Sequence, residues 1–209
     1  MEPLRIVTIG GLPLFAYLLG SLPWGLVLTR IFTSVDIRKT GSGNIGASNV
    51  RRTAGTTLGA LTLAGDVLKG ALPVYLAGVI SGPTASWREI YMALVAFSAF
   101  SGHLFPVFLK FKSGGKGVAT AAGCFFVLAP MASFIVILIF MVFIFGFNRV
   151  SVGSLAAAAA LPVAVWQTTH SRVMTGFAVI TMTFIYFRHK DNIRRLLAGT
   201  ESVIWKRKK

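Results

Sequence analysis

Gly117-Val118-Ala119-Thr120-Ala121-Ala122-Gly123-Cys124-Phe125-Phe126-Val127-Leu128-Ala129-Pro130-Met131-Ala132-Ser133-Phe134-Ile135-Val136-Ile137-Leu138-Ile139-Phe140-Met141-Val142-Phe143-Ile144-Phe145-Gly146-Phe147 carries no charged residue from end to end. A transmembrane helix needs roughly 20 predominantly apolar residues, so the run is either one long kinked span or two spans divided at Pro130. Proline lacks the backbone N–H that a helix interior requires, and we place the division there. Similar apolar stretches lie at 5–30, 56–80, 88–106, 151–168 and 172–187, which with 117–130 and 131–147 make seven spans. The fold class is therefore all-α: a polytopic membrane protein with about seven transmembrane helices. Composition agrees, since 55% of the 209 residues are hydrophobic and only 13% are charged, against about 25% charged in a soluble domain.

The basic residues choose between six and seven spans. With seven, loops 30–55, 107–116 and 148–150 and the segment 188–209 share one face, and they hold every Lys and Arg except Arg5, Lys69, Arg88 and Arg172. Positive residues mark the cytoplasmic side, which puts the N-terminus outside and the C-terminus in the cytoplasm. Six spans would split the basic loops between the two faces. The net charge of +15 borders apolar spans instead of forming a basic domain, so it speaks for anionic lipid head groups and topology, not for nucleic acid. The run Lys206 to Lys209 is read as a solvated tail at the membrane surface. Residues 1–209 form one helical domain whose chemistry is confined to loops near 33–55, 107–117 and 188–201.

The first of these loops, Thr40-Gly41-Ser42-Gly43-Asn44-Ile45-Gly46-Ala47-Ser48-Asn49-Val50-Arg51-Arg52, has the ingredients of a phosphate cradle. Glycines let backbone N–H groups approach an anion, Ser and Asn add neutral donors, and Arg supplies a bidentate cation. Lys112-Ser113-Gly114-Gly115-Lys116-Gly117 is a second such loop, and the tail carries His189, Asn192 and Arg195 at helical spacing. Formal motif matches fail on context. Gly41, Gly43 and Gly46 satisfy G-x-G-x-x-G with Asp66 downstream, but no strand precedes them. Lys116 is followed by Gly117, so the second loop is no Walker A site, and no nucleophile elbow is present. Three scattered histidines and one cysteine, Cys124, give no metal cluster. Asp66 and Lys69 stand three apart within a span, spaced either for a structural ion pair or for a functional role. His103 is placed at a span end in a packing role, and His170 on the opposite face in solvent.

These stretches carry a resemblance. Gly41 to Val50, Gly102-His103 through Thr120, and His189 to Leu197 with Gly199-Thr200-Glu201 resemble, in order, the three motifs of the bacterial integral-membrane glycerol-3-phosphate acyltransferases that use acyl phosphate. Ser48 stands where that family usually has Thr, which keeps the hydroxyl. The resemblance implies transfer of a fatty acyl group from acyl phosphate to the 1-hydroxyl of glycerol 3-phosphate, giving lysophosphatidate and phosphate, with no cofactor and no metal. It assigns Ser42, Gly43, Asn44, Gly46, Ser48 and Asn49 to the acyl-phosphate head. Arg52, Lys116, Ser151, Ser154, His189 and Asn192 go to glycerol 3-phosphate, with Lys116, His189 and Asn192 as the catalytic set. Either His189 or a substrate phosphate oxygen takes the hydroxyl proton. No His is followed five places later by Asp, the pattern of the other acyltransferase class. The alternative is a transporter or flippase for a phosphorylated anion, to which intramembrane Asp66 and Lys69 would also be suited.

Overall fold

The structure, a computed structural model, describes the backbone of residues 3–112 and 114–205 and the side chains from Ile9 onward within them. Ser113 and the Lys206 to Lys209 run lie outside the described residues. All regular elements among those described are helical, and they fall into two compact units, Met1–Leu128 and Ala129–Lys209.

The first unit contains α1 (Pro3–Gly20), α2 (Trp24–Phe32), α3 (Ala47–Ala54), α4 (Thr56–Ser81), α5 (Arg88–Leu104), a 3₁₀ turn (Val107–Leu109) and α6 (Val118–Leu128). Its helices approach backbone to backbone through small residues, as membrane helices do. A Cβ on Gly70 of α4 would strike the carbonyl of Thr120, and one on Gly123 of α6 that of Val67; Gly20 and Gly102 do the same for α1 and α5. The expected first span is interrupted at Ser21-Leu22-Pro23, with a 47° bend between its halves. Pro23 withholds an N–H and drives Leu22 out of the helical region.

The second unit contains α7 (Pro130–Phe147), α8 (Val150–Thr169), α9 (Arg172–Arg188) and α10 (Lys190–Leu197). Pro130 sits in the first turn of α7, where its missing N–H is no loss, and Ala129 before it is non-helical. Helix α6 therefore stops at Leu128 and α7 begins anew, as the sequence predicts. Along α7, Phe134, Leu138, Val142 and Phe145 are exposed, an apolar face that hydrocarbon, not water, would cover. Ser171 caps α9 by accepting from the Met174 amide at 3.2 Å.

By length and composition four helical stretches can cross a membrane, namely α4, α5 continued through the 3₁₀ turn, α7 and α8, and α1 with α2 makes a fifth if the bent pair is one span. All seven expected stretches are helical, but α6 has 11 residues. That length rises about 16 Å, half of a roughly 30 Å hydrocarbon core. Helix α9, at 17 residues with an arginine at each end, also falls short.

Candidate active site

The first loop is built around Asn49. Its side chain is 2% exposed; Nδ2 donates to the carbonyls of Ile37 (3.0 Å) and Thr40 (3.1 Å), and Oδ1 accepts from the Ser42 amide (2.9 Å). A side chain expected to face a ligand is thus engaged in shaping the loop. Gly41 lies over this amide with φ +64°, and a Cβ there would overlap Asn49 Oδ1, so the position needs glycine twice over. Asn44 Oδ1 accepts from the Gly46 amide at 2.9 Å, an Asx turn that delivers the chain to the N-terminus of α3. Leu26, Ile37, Ile45 and Val50 bury together beneath the loop and fix it to α2.

What remains outward is Ser42, Ser48 and Arg52, all exposed, with Gly43 and Gly46 partly so. Gly46, Ala47 and Ser48 open the first turn of α3, where backbone N–H groups and the helix dipole favour an anion. Arg38 does not join them. It is paired with Asp36 at 3.0 Å, and that guanidinium holds the Asp36 carboxyl down at about 2.

The second loop leaves α5 through the 3₁₀ turn and passes Lys110 and Phe111, both left-handed (φ 52° and 61°). Its entry is tied to α1 by Tyr17 Oη donating to the Phe105 carbonyl (2.8 Å). Gly115 donates to the His103 carbonyl at 3.2 Å, and the imidazole of His103 fills the place a Cβ on Gly115 would take. Lys116 follows, half-buried, and Gly117 opens α6 by accepting from the Ala121 amide. The ammonium is therefore carried just ahead of a helix N-terminus. Asp66 and Lys69 do form an ion pair, at 2.8 Å. His103, which the sequence places in a packing role, is 5% exposed and joins them.

In the second unit, His189 is the hinge between α9 and α10 and is 2% exposed. Its Nδ1 lies 2.8 Å from the Ile185 carbonyl. A carbonyl only accepts, so Nδ1 carries the hydrogen, and in the neutral ring Nε2 carries the lone pair. Asn192 follows on the first turn of α10, its Nδ2 donating to Glu201 Oε1 (2.6 Å), while Arg195 Nε donates to Glu201 Oε2 (2.7 Å). Burial works to raise the Glu201 carboxyl, yet the hydrogen bonds from Asn192 and Arg195 hold it below the ordinary glutamate range. Ser151 Oγ itself is buried and completes no hydrogen bond, and Ser154 Oγ is turned back onto the Val150 carbonyl (3.0 Å).

Residues 201–205 are fastened to the turn before α8. Asn148 accepts at Oδ1 from the amides of Ile204 (3.2 Å) and Trp205 (2.9 Å) and donates to the Trp205 carbonyl (2.8 Å). Arg149 Nε reaches the Glu201 carbonyl at 3.3 Å. Glu201 is thus the organising acid of this half. The sequence offers it only as part of the third motif, with no role attached.

Within each unit the structure assembles the candidates as neighbours on one loop or turn: Ser42 to Arg52, then Gly115 to Gly117, then His189 with Asn192 and Glu201 beside Ser151. No group of three or more His, Cys, Asp or Glu suited to a metal occurs among the described residues. The donor set is one of amides, hydroxyls and cations, fitted to neutralising phosphate charge by position.

Comparison with known proteins shows the family. Residues 11–199 match the glycerol-3-phosphate acyltransferase family. A glycerol-3-phosphate acyltransferase of Syntrophotalea carbinolica is 46% identical over 90% of this chain and 94% of its own length. Another, from Geobacter metallireducens, is 48% identical over 90% and 93%. Crystal structures of PlsY, an integral membrane glycerol 3-phosphate acyltransferase, superpose with a TM-score of 0.87 at 35% identity for the glycerol 3-phosphate form. The lysophosphatidic acid form gives 0.85 at 34%, and each match covers 95% of this chain and 96% of the other.

Proposed function

Since the chain belongs to the glycerol-3-phosphate acyltransferase family, we propose that it moves a fatty acyl group from acyl phosphate to the 1-hydroxyl of glycerol 3-phosphate, as the first step of phospholipid synthesis. The hydroxyl oxygen attacks the acyl carbon, the bond from that carbon to the phosphate oxygen breaks, and inorganic phosphate leaves with the electron pair. Lysophosphatidate is the other product. The hydroxyl proton passes to His189 Nε2 or to a substrate phosphate oxygen. Phosphate is a good leaving group, so positioning and charge neutralisation suffice without a covalent intermediate.

The observation that supports this reading best is the pairing of two glycine-rich, cation-bearing loops with apolar helices. One substrate is an amphiphile with a phosphate head and the other a small soluble phosphate, and each needs an anion site at a membrane face. Ser42, Gly43, Gly46 and Ser48 are assigned to the acyl-phosphate head, with Asn44 and Asn49 holding the loop that presents them. Arg52, Lys116, His189, Asn192, Ser151 and Ser154 are assigned to glycerol 3-phosphate, the first four also meeting charge as it develops. Seven spans, with the N-terminus outside and these loops on the cytoplasmic side of the inner membrane, suit the distribution of Lys and Arg. The acyltransferase family displaces the transporter alternative. Purified protein in detergent given acyl phosphate and glycerol 3-phosphate should release inorganic phosphate, whereas acyl-coenzyme A should not replace the donor. Equal rates with the thioester would refute the donor assignment.

A further inference from the structure

Four buried polar side chains of the first unit have no part in the reaction as described. Asp66 and Lys69 on α4, His103 on α5 and Thr120 on α6 are each no more than 5% exposed. Lys69 Nζ donates to the carbonyl of Leu22 at 2.9 Å, an acceptor made available by the break between α1 and α2, and pairs with Asp66 Oδ1 at 2.8 Å. The same Asp66 oxygen lies 3.6 Å from His103 Nδ1, and Thr120 Oγ1 lies 3.1 Å from that nitrogen. Two helices thus grip one edge of the imidazole. Its other edge, at Nε2, backs directly onto Gly115.

A buried ion pair is weak grounds for stability, because apolar residues of similar volume hold a core about as well. Inside a membrane span such groups are expensive and their retention points to function. The loop they reach joins α5 to α6. Its described backbone includes two left-handed non-glycine residues and a left-handed Gly117, and Gly115 donates to the His103 carbonyl at 3.2 Å.

We propose that His103 is a positioning residue for Lys116: Asp66 and Thr120 set the imidazole, the imidazole backs Gly115, and this brace fixes where the next residue presents its ammonium. The proposal rests on the reading of Lys116 as a glycerol 3-phosphate and charge-neutralising group. Through Lys69 the brace extends to Leu22, so the interruption of the first span serves the second loop.

Thr120→Val keeps the side-chain shape and removes the hydroxyl at His103, and Thr120→Ser restores it. Two readouts are taken on the full chain purified in detergent: saturation with glycerol 3-phosphate, and amide hydrogen exchange across residues 114–117, with Lys116→Ala run alongside. Thr120→Val should raise KM for glycerol 3-phosphate about tenfold, the scale of one lost buried hydrogen bond. It should also speed exchange in the loop, and Thr120→Ser should reverse both effects. Unchanged loop exchange in Thr120→Val overturns the brace whatever Lys116→Ala does, and so does a fall in melting temperature with KM held. Normal kinetics in Lys116→Ala would instead remove the underlying assignment of Lys116, and exchange alone would then decide whether the brace exists.

Discussion

Asn49→Ala separates a residue that shapes the first loop from one that touches substrate. The side chain makes three hydrogen bonds, to the carbonyls of Ile37 and Thr40 and from the amide of Ser42, and it is buried. At about 1 kcal/mol apiece, truncation costs the loop about 3 kcal/mol, or about 100-fold in its closed-to-open ratio. Asn49→Asp should be worse: it keeps an acceptor for Ser42 but turns a carboxylate oxygen, which cannot donate, toward two carbonyls. The assay is hydrogen exchange over residues 37–49 together with the acyl-phosphate dependence of turnover. Both variants should expose the loop amides and raise KM for acyl phosphate, Asp more than Ala. A direct contact to phosphate would lower turnover while leaving the amides protected. Exchange in Asn49→Ala within about twofold of the parent, far below the hundredfold worked from three bonds, would refute the reasoning.

Lys116→Ala should lower acyl transfer by about 100-fold or more, the usual loss for one preorganised donor at developing charge, with monodisperse elution preserved; Lys116→Arg should not rescue it, because a planar fork does not replace a compact ammonium. The folded Glu201 carboxyl is held below its unfolded value, so its stabilisation is complete above the ordinary glutamate range and is lost as pH falls through the folded pKa. Melting temperature should therefore drop on acidification, and Glu201→Gln should start lower and flatten that dependence. Turnover should be indifferent to EDTA, since cations and amides supply the neutralising charge; loss restored by one particular metal would overturn this.

Length and apolarity made most of the fold legible. The stretches expected at 56–80, 131–147, 151–168 and 172–187 are helices Thr56–Ser81, Pro130–Phe147, Val150–Thr169 and Arg172–Arg188, because a long, predominantly apolar run bounded by Arg, Gly or Pro leaves little choice. The break at Leu22 was not legible, since hydropathy runs on through it and Pro23 could equally have begun a kink. Helix α3 was hidden in a loop whose polar residues look the same in either state. At the site, the loops and the helical spacing of His189 and Asn192 could be read directly. Roles decided by convergence could not: nothing in a linear reading brings Thr120 and Asp66 to the same nitrogen of His103. Likewise an asparagine's donors suit a ligand and a backbone carbonyl equally well, which is why Asn49 read as a contact and is found as a staple.

The clamp between Asn148 and residues 204–205 bears on how the protein is made. Partners 57 positions apart in sequence cannot meet until the later segment has left the ribosome, and closing so long a loop comes late in folding. Helices α7, α8 and α9 precede that segment and can enter the bilayer without it, whereas Asn192 and Arg195 have no carboxylate to hold them until Glu201 emerges. Insertion and the completion of this half of the site are therefore separate events in the life of the chain. A nascent protein can already be anchored in the membrane while its third motif is still unformed.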